Sequence, residues 1–136
     1  MTTTTLPDIG AAPGFLRTAL RLDGWSTGVF GAVLLAAAPI LSEPLGLPTS
    51  WSIPFGVAML GGAIALLLIA GYPAVPARLA TAVVAVNALS AVALTLLAFA
   101  DLIPLTAWGR AFLLVGAAVV AVFGAIEYVG LQREEK

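Results

Sequence analysis

Four long apolar runs, separated by short clusters of proline, glycine and charge, make up most of the chain. Within each run the hydrophobic residues continue without the strict alternation of a half-buried strand or the polar stripe of a surface helix. The runs cover roughly 24–41, 51–70, 78–100 and 106–131. Each is close to the length of about 20 residues that a helix needs to cross about 30 Å of hydrocarbon. Backbone groups must be paired internally in lipid, and a barrel would instead show alternating segments of about 10 residues. The pattern therefore predicts an all-α, polytopic membrane protein, an antiparallel four-helix transmembrane bundle.

The breaks between runs have recognisable turn chemistry. Phe15 to Leu22, with Arg17 and Arg21 four apart, reads as an interfacial lead-in on the first helix. Ser42 to Ser50 reads as a turn containing Pro44, Gly46 and Pro48. Thr49 or Ser50 is expected to cap the second helix, with Pro54 in its first turn, where a missing N–H costs little. Gly71, Tyr72, Pro73 and Pro76 end that span, and Asp101 to Leu105, with Pro104, forms the next turn before Thr106, the expected N-cap of the fourth. The expected organisation is a disordered lead over 1–14, a membrane domain over 15–131 and a charged tail over 132–136. Met1 to Gly14 contain no Lys or Arg and do not read as a signal peptide.

Composition agrees with this reading. The 136 residues are 61% hydrophobic and 10% charged, against about 25% charged in a soluble domain. Four spans, short loops and two tails leave no room for a second domain. Neither Cys nor His occurs. Disulfides, thiol nucleophiles, Cys/His metal sites and imidazole bases are thereby excluded, and no metal or cofactor is expected. A net charge of -1 gives no footprint for nucleic acid.

Charge also orients the chain. Arg17, Arg21, Arg78, Arg133 and Lys136 lie on the side of the two termini, and only Arg110 lies opposite. The positive-inside rule then places both termini in the cytoplasm of a bacterial plasma membrane. Trp51 and Trp108 would sit at the outer interface, and Trp25, Tyr72 and Tyr128 at the inner one, as aromatic belts.

A shift of 57 residues lays Arg21-Leu22 on Arg78-Leu79 and Thr49-Ser50-Trp51 on Thr106-Ala107-Trp108. One reading is a duplicated helical hairpin whose copies are related by a twofold along the membrane normal. The other is that every such hairpin needs an arginine inside and a tryptophan outside. The sequence leaves both open.

Polar groups inside a span are costly, which makes each a candidate for function. Asp23 opens the first span and Glu127 lies about one turn from Leu131 in the fourth. Both are expected at the inner mouth of the bundle, with Arg17, Arg21 and Arg78. The plain expectation is that they pair with these arginines. The sharper one is a proton- or substrate-binding carboxylate, with Glu127 favoured because it is deeper. Asn87, nine residues beyond Arg78, lies about 13 Å in. It shares a face with Ser90 and is expected to make an interhelical hydrogen bond, worth about 0.6 kcal/mol on average, in preference to a ligand contact. Asp101 and Arg110 are expected to pair at the outer interface. Gly24, Gly28 and Gly31 in span one, Gly61 and Gly62 in span two, and Gly116 and Gly124 in span four are expected to mark close helix packing.

R-L-D-G-W-S-T-G (Arg21 to Gly28), P-L-G-L-P (Pro44 to Pro48), A-V-V-A-V-N (Ala82 to Asn87) and Y-V-G-L-Q-R (Tyr128 to Arg133) resemble an uncharacterised family of small four-span integral membrane proteins from high-GC Gram-positive bacteria. The resemblance covers nearly the whole chain and implies the four-span architecture without an activity. Members of that family often carry an Asn where this chain has Phe30, the repeat partner of Asn87. Three better-understood groups fit less well. Small multidrug exporters use a glutamate deep in their first span, where the sequence suggests no deep acid. Dual-topology fluoride channels have balanced Lys and Arg. Vitamin-K-reductase-like enzymes need paired cysteines.

Three functions follow as expectations. The favoured one is a non-enzymatic structural, assembly or lipid-binding component, for which bulky changes at Gly28 or Gly124 matter more than Glu127→Gln or Asn87→Ala. An alternative is a small oligomeric transporter or channel using Glu127 and Asn87. The third, least favoured, is a membrane-embedded enzyme acting on a lipophilic substrate through Asp23 or Glu127. The expected partners are the lipid bilayer and either further copies of the chain or an unidentified membrane protein.

Overall fold

Each apolar run closes its own backbone hydrogen-bond ladder. In the computed structural model, which describes residues 12–134, this gives α1 (Ala12–Leu45), α2 (Thr49–Ala70), α3 (Ala77–Phe99) and α4 (Ala107–Glu134). No strand occurs among the described residues. All four helices are long and apolar enough to cross a membrane. With 34 and 28 residues, α1 and α4 span about 51 and 42 Å. With 22 and 23 residues, α2 and α3 span only about 33 and 35 Å.

The helices begin and end where local chemistry dictates. The interfacial lead-in is continuous with α1, which already includes Ala12 to Gly14; the rest of the expected disordered lead lies outside the described residues, as do Glu135 and Lys136. At its other end α1 runs through Pro44, so the first turn is shorter than the sequence suggests. Gly46 stops the helix in the left-handed region at φ 64°, which glycine adopts without a Cβ penalty. Its N–H bonds Glu43 O at 3.2 Å, and Leu47 N–H bonds Ser42 O at 3.0 Å. That pairing satisfies two terminal carbonyls and folds Leu47 back against Leu41. Pro48, rather than Thr49 or Ser50, occupies the N-cap of α2, with no side-chain cap.

Thr106 does cap α4. Its hydroxyl accepts from Gly109 N–H at 3.1 Å and donates to Pro44 O at 2.6 Å, while its own N–H donates to Leu45 O at 3.0 Å. One residue thereby starts a helix and ties together the two loops of the far end, opposite the chain termini. Asp101 adopts φ 60° just after α3, a turn role that short polar residues tolerate. The expected pairing of Asp101 with Arg110 is not what forms. Arg110 Nε instead donates to Ala98 O at 2.8 Å, and its guanidinium lies 5.7 Å from the Phe99 ring centre.

Packing runs in the order α2–α1–α4–α3. α1 lies closely along α2 and also packs on α4, and α3 packs on α4. Although consecutive in the chain, α2 and α3 scarcely meet. A strict twofold of duplicated hairpins would make the α1–α4 and α2–α3 contacts equivalent, and they are not.

The α1–α2 approach is set by glycine. A Cβ on Gly24 would lie 3.0 Å from Leu67, and one on Gly31 would lie 3.0 Å from Met59 and 3.1 Å from Gly56 O. Gly28 meets Ala63 at ordinary contact distance, as Gly116 meets Leu94. Gly61 and Gly62 have nothing within 4 Å and so face outward, contrary to the packing role expected of them.

Two apolar clusters stack along the bundle. Leu16, Leu20, Leu66, Ala70, Ala80 and Leu131 pack at the end bearing the termini. Leu34, Leu47 and Ile103, with Trp51, Phe55 and Phe112 against them, pack at the far end. Most other large hydrophobics face outward, as a lipid solvent requires.

Candidate functional site

Between the two apolar clusters lies a polar centre contributed by three helices. Asp23 is eleven residues into α1, Asn87 ten into α3, and Glu127 seven before the end of α4. Each therefore lies about 10–16 Å from the termini-side end of its helix. Asp23 is 2% exposed, Glu127 0% and Asn87 9%.

The amide of Asn87 joins the two acids. Its Nδ2 donates to Glu127 Oε1 at 2.7 Å and to Asp23 Oδ2 at 3.2 Å. Thr27, one turn along α1 from Asp23, donates its hydroxyl to Asp23 Oδ1 at 3.1 Å. Glu127 and Asp23 are thereby held on one shared amide nitrogen. Glu127 Oε2 is buried and has no hydrogen-bond partner. Gly124, one turn before Glu127, makes this convergence possible: a Cβ there would lie 3.2 Å from the Asn87 Cβ. The small residue lets α3 come close enough to α4 for a short amide side chain to span both neighbours.

The arginines are elsewhere. Arg21 and Arg78 are exposed and make no contact with the centre. Arg17 Nη2 donates to Tyr72 O at 2.8 Å and to Pro73 O at 3.0 Å, fastening α1 to the α2–α3 loop. Arg133 lies over Phe15, 4.5 Å from the ring centre. The expectation that Asp23 and Glu127 pair with arginines at the membrane surface is therefore overturned. Leu16, Leu20 and Leu131 lie toward the termini from the acids, while Arg17 and Arg21, at the same level of α1, are turned to the α2–α3 loop and to the exposed surface. Asp23, placed by the sequence at the start of the first span, is buried among the helices. Ser90 is half-buried and is not among the side chains bonded to the centre.

Chemically, the centre offers two carboxyls, one amide and one hydroxyl in an enclosed space. A carboxylate accepts hydrogen bonds and donates none. Two ionised carboxylates in contact repel strongly where the dielectric is low. The Asn87 amide donates to both yet carries no charge. Among the described residues no group of three or more His, Cys, Asp or Glu is placed to hold a metal ion.

Sequence reasoning singled out all three members of the centre and missed Thr27, whose spacing of four residues from Asp23 on one helix was a usable signal. It also missed Gly56, Gly109 and Gly130. A Cβ on Gly109 would collide with the Leu45 carbonyl, and one on Gly130 would press on Phe15 and Leu16. Comparison with known protein families, curated proteins and solved structures finds no match for the chain.

Proposed function

We propose that this protein is a small proton-linked membrane transporter, and that the Asp23–Asn87–Glu127 centre holds the coupling proton in an occluded state. One observation carries the reading: two buried carboxyls from different helices share a single amide donor, and among the described residues neither is hydrogen-bonded to an arginine. An ionisable pair kept within a span is expensive and is retained for a role. A proton held between the carboxyls removes the repulsion and fills the vacant acceptor at Glu127 Oε2. Apolar layers on both sides keep water from the pair, as an occluded carrier requires. The arginine bias supports an orientation with both termini in the cytoplasm of a bacterial plasma membrane.

A second reading, the structural or assembly component, draws on the close glycine contacts between α1 and α2. There the centre is a polar clasp that aligns three helices. The two readings separate in liposomes loaded with a pH dye and bathed in sodium and potassium salts on both sides. A transporter dissipates an imposed pH gradient, and Glu127→Gln stops it. Wild-type vesicles that hold the gradient as well as empty ones, or a Glu127→Gln variant as active as wild type, leave the clasp standing.

A further inference from the structure

Resting on the transport reading, we infer that the same centre takes a dehydrated monovalent cation in exchange for its proton. Asp23, Glu127, Asn87 and Thr27 supply the ligands.

The donor set fits such an ion. Both carboxylates, the Thr27 hydroxyl and the Asn87 amide oxygen are hard oxygen ligands of the kind that small hard cations prefer. Two acids sharing one proton carry one net negative charge, and replacing that proton by a monovalent cation leaves the charge unchanged, whereas a divalent ion would change it. The buried, unpartnered Glu127 Oε2 already lacks a positive neighbour. Amide, hydroxyl and carboxylate groups meet at 2.7–3.2 Å, too close to leave room for an organic solute between them.

Asn87 is the element that adapts. With a proton between the acids, its Nδ2 faces them as donor. The terminal torsion of an asparagine is broad and roughly two-fold. A half-turn brings the amide oxygen to the same place as an acceptor for a cation. Thr27 adapts by rotating its hydroxyl hydrogen away from Asp23.

The exchange balances. One cation enters, one proton leaves to water, and the centre keeps the same net charge. Among the described residues no other ionisable group is hydrogen-bonded to it. Thr49–Ala70 of α2 contains none, Arg78 of α3 is exposed nine residues away, and on α4 Tyr128 points outward while Arg133 packs on Phe15. On α1, Arg17 is bonded to the 72–73 carbonyls and Arg21 is exposed.

The experiment is proton release from the purified full chain in weakly buffered detergent, followed with an indicator dye as lithium, sodium, potassium or choline chloride is added. The expected result is release approaching about one proton per chain with lithium or sodium, less with potassium and none with choline. Release is lost in Asp23→Asn and Glu127→Gln. Thr27→Val leaves both acids in place and shifts the sodium midpoint upward about tenfold, which keeps the test decisive should an acid variant fail to fold. Equal release with choline shows a bulk salt effect and overturns the inference. Absence of release with every cation also overturns it, while proton movement in liposomes that Glu127→Gln still abolishes leaves the transport reading intact.

Discussion

Asn87 Nδ2 and Glu127 Oε1 lie 2.7 Å apart across the α3–α4 interface, although 40 positions separate the two residues in the chain. The same nitrogen reaches Asp23 on α1, so one neutral side chain holds three helices in register. Much of what can be tested in this molecule follows from that amide.

Asn87→Ala leaves two buried carboxyls without their common donor. The cost of a buried unsatisfied polar group is about 1–3 kcal/mol, well above the about 0.6 kcal/mol average for an interhelical bond in a bilayer. Thermal unfolding in detergent, followed by helical circular dichroism, should show a clear loss of stability. A loss no larger than that average would show that the acids find other partners.

Glu127→Gln should separate stability from activity. The glutamine keeps an acceptor for Asn87 and supplies an N–H that can reach Asp23, removing the repulsion between the acids. Its melting temperature should match or exceed that of wild type while proton movement is lost. Glu127→Ala, which leaves a void beside Asp23, should be less stable than both. Such opposition is characteristic of positions kept for function at the expense of stability.

The glycines sort by what a methyl group would meet. Gly124→Leu should disrupt the α3–α4 contact, because a Cβ alone lies 3.2 Å from Asn87. Gly61→Ala and Gly62→Ala enter open space and should change stability by no more than about 0.5 kcal/mol. A parallel melting series distinguishes these sites, and equal losses would contradict the packing described.

Thr106→Val removes both the cap on Gly109 and the bond to Pro44 O. Loss of an N-cap costs about 0.5–2 kcal/mol. Thr106→Ser should retain most of it. Hydrogen exchange at the first turn of α4 should rise in the valine variant and stay near wild type in the serine variant.

The four helices were legible in the sequence because continuous apolar runs of spanning length have few other solutions in lipid. The ends were less legible. Apolarity marks where lipid begins, whereas the helix continues past it: α1 starts at Ala12, three residues before the expected lead-in at Phe15, and runs to Leu45, into the turn expected over 42–50. Asp23 is eleven residues into α1. The candidate site was legible as a set of residues and not as a site. Asp23, Asn87 and Glu127 each stood out as polar groups in apolar surroundings. Their convergence depends on α1 packing against α4, a choice of neighbour that hydrophobic faces with so little asymmetry cannot encode. The arginines misled for the same reason. Charge complementarity suggested pairs, but Arg21 and Asp23, two residues apart on one helix, take different faces, one exposed and one buried.

The uneven packing of the helices makes the chain divisible. Each hairpin, α1 with α2 and α3 with α4, is held by its own close contacts, and the halves join through α1, α4 and the Asn87 amide. Little but a covalent connection links α2 to α3. Two fragments separated after Ala74 and expressed together should therefore insert independently and reassemble into a working whole. Recognition between them would be selected by the polar centre itself, so that a fragment lacking Asn87 would insert normally yet fail to find its other half.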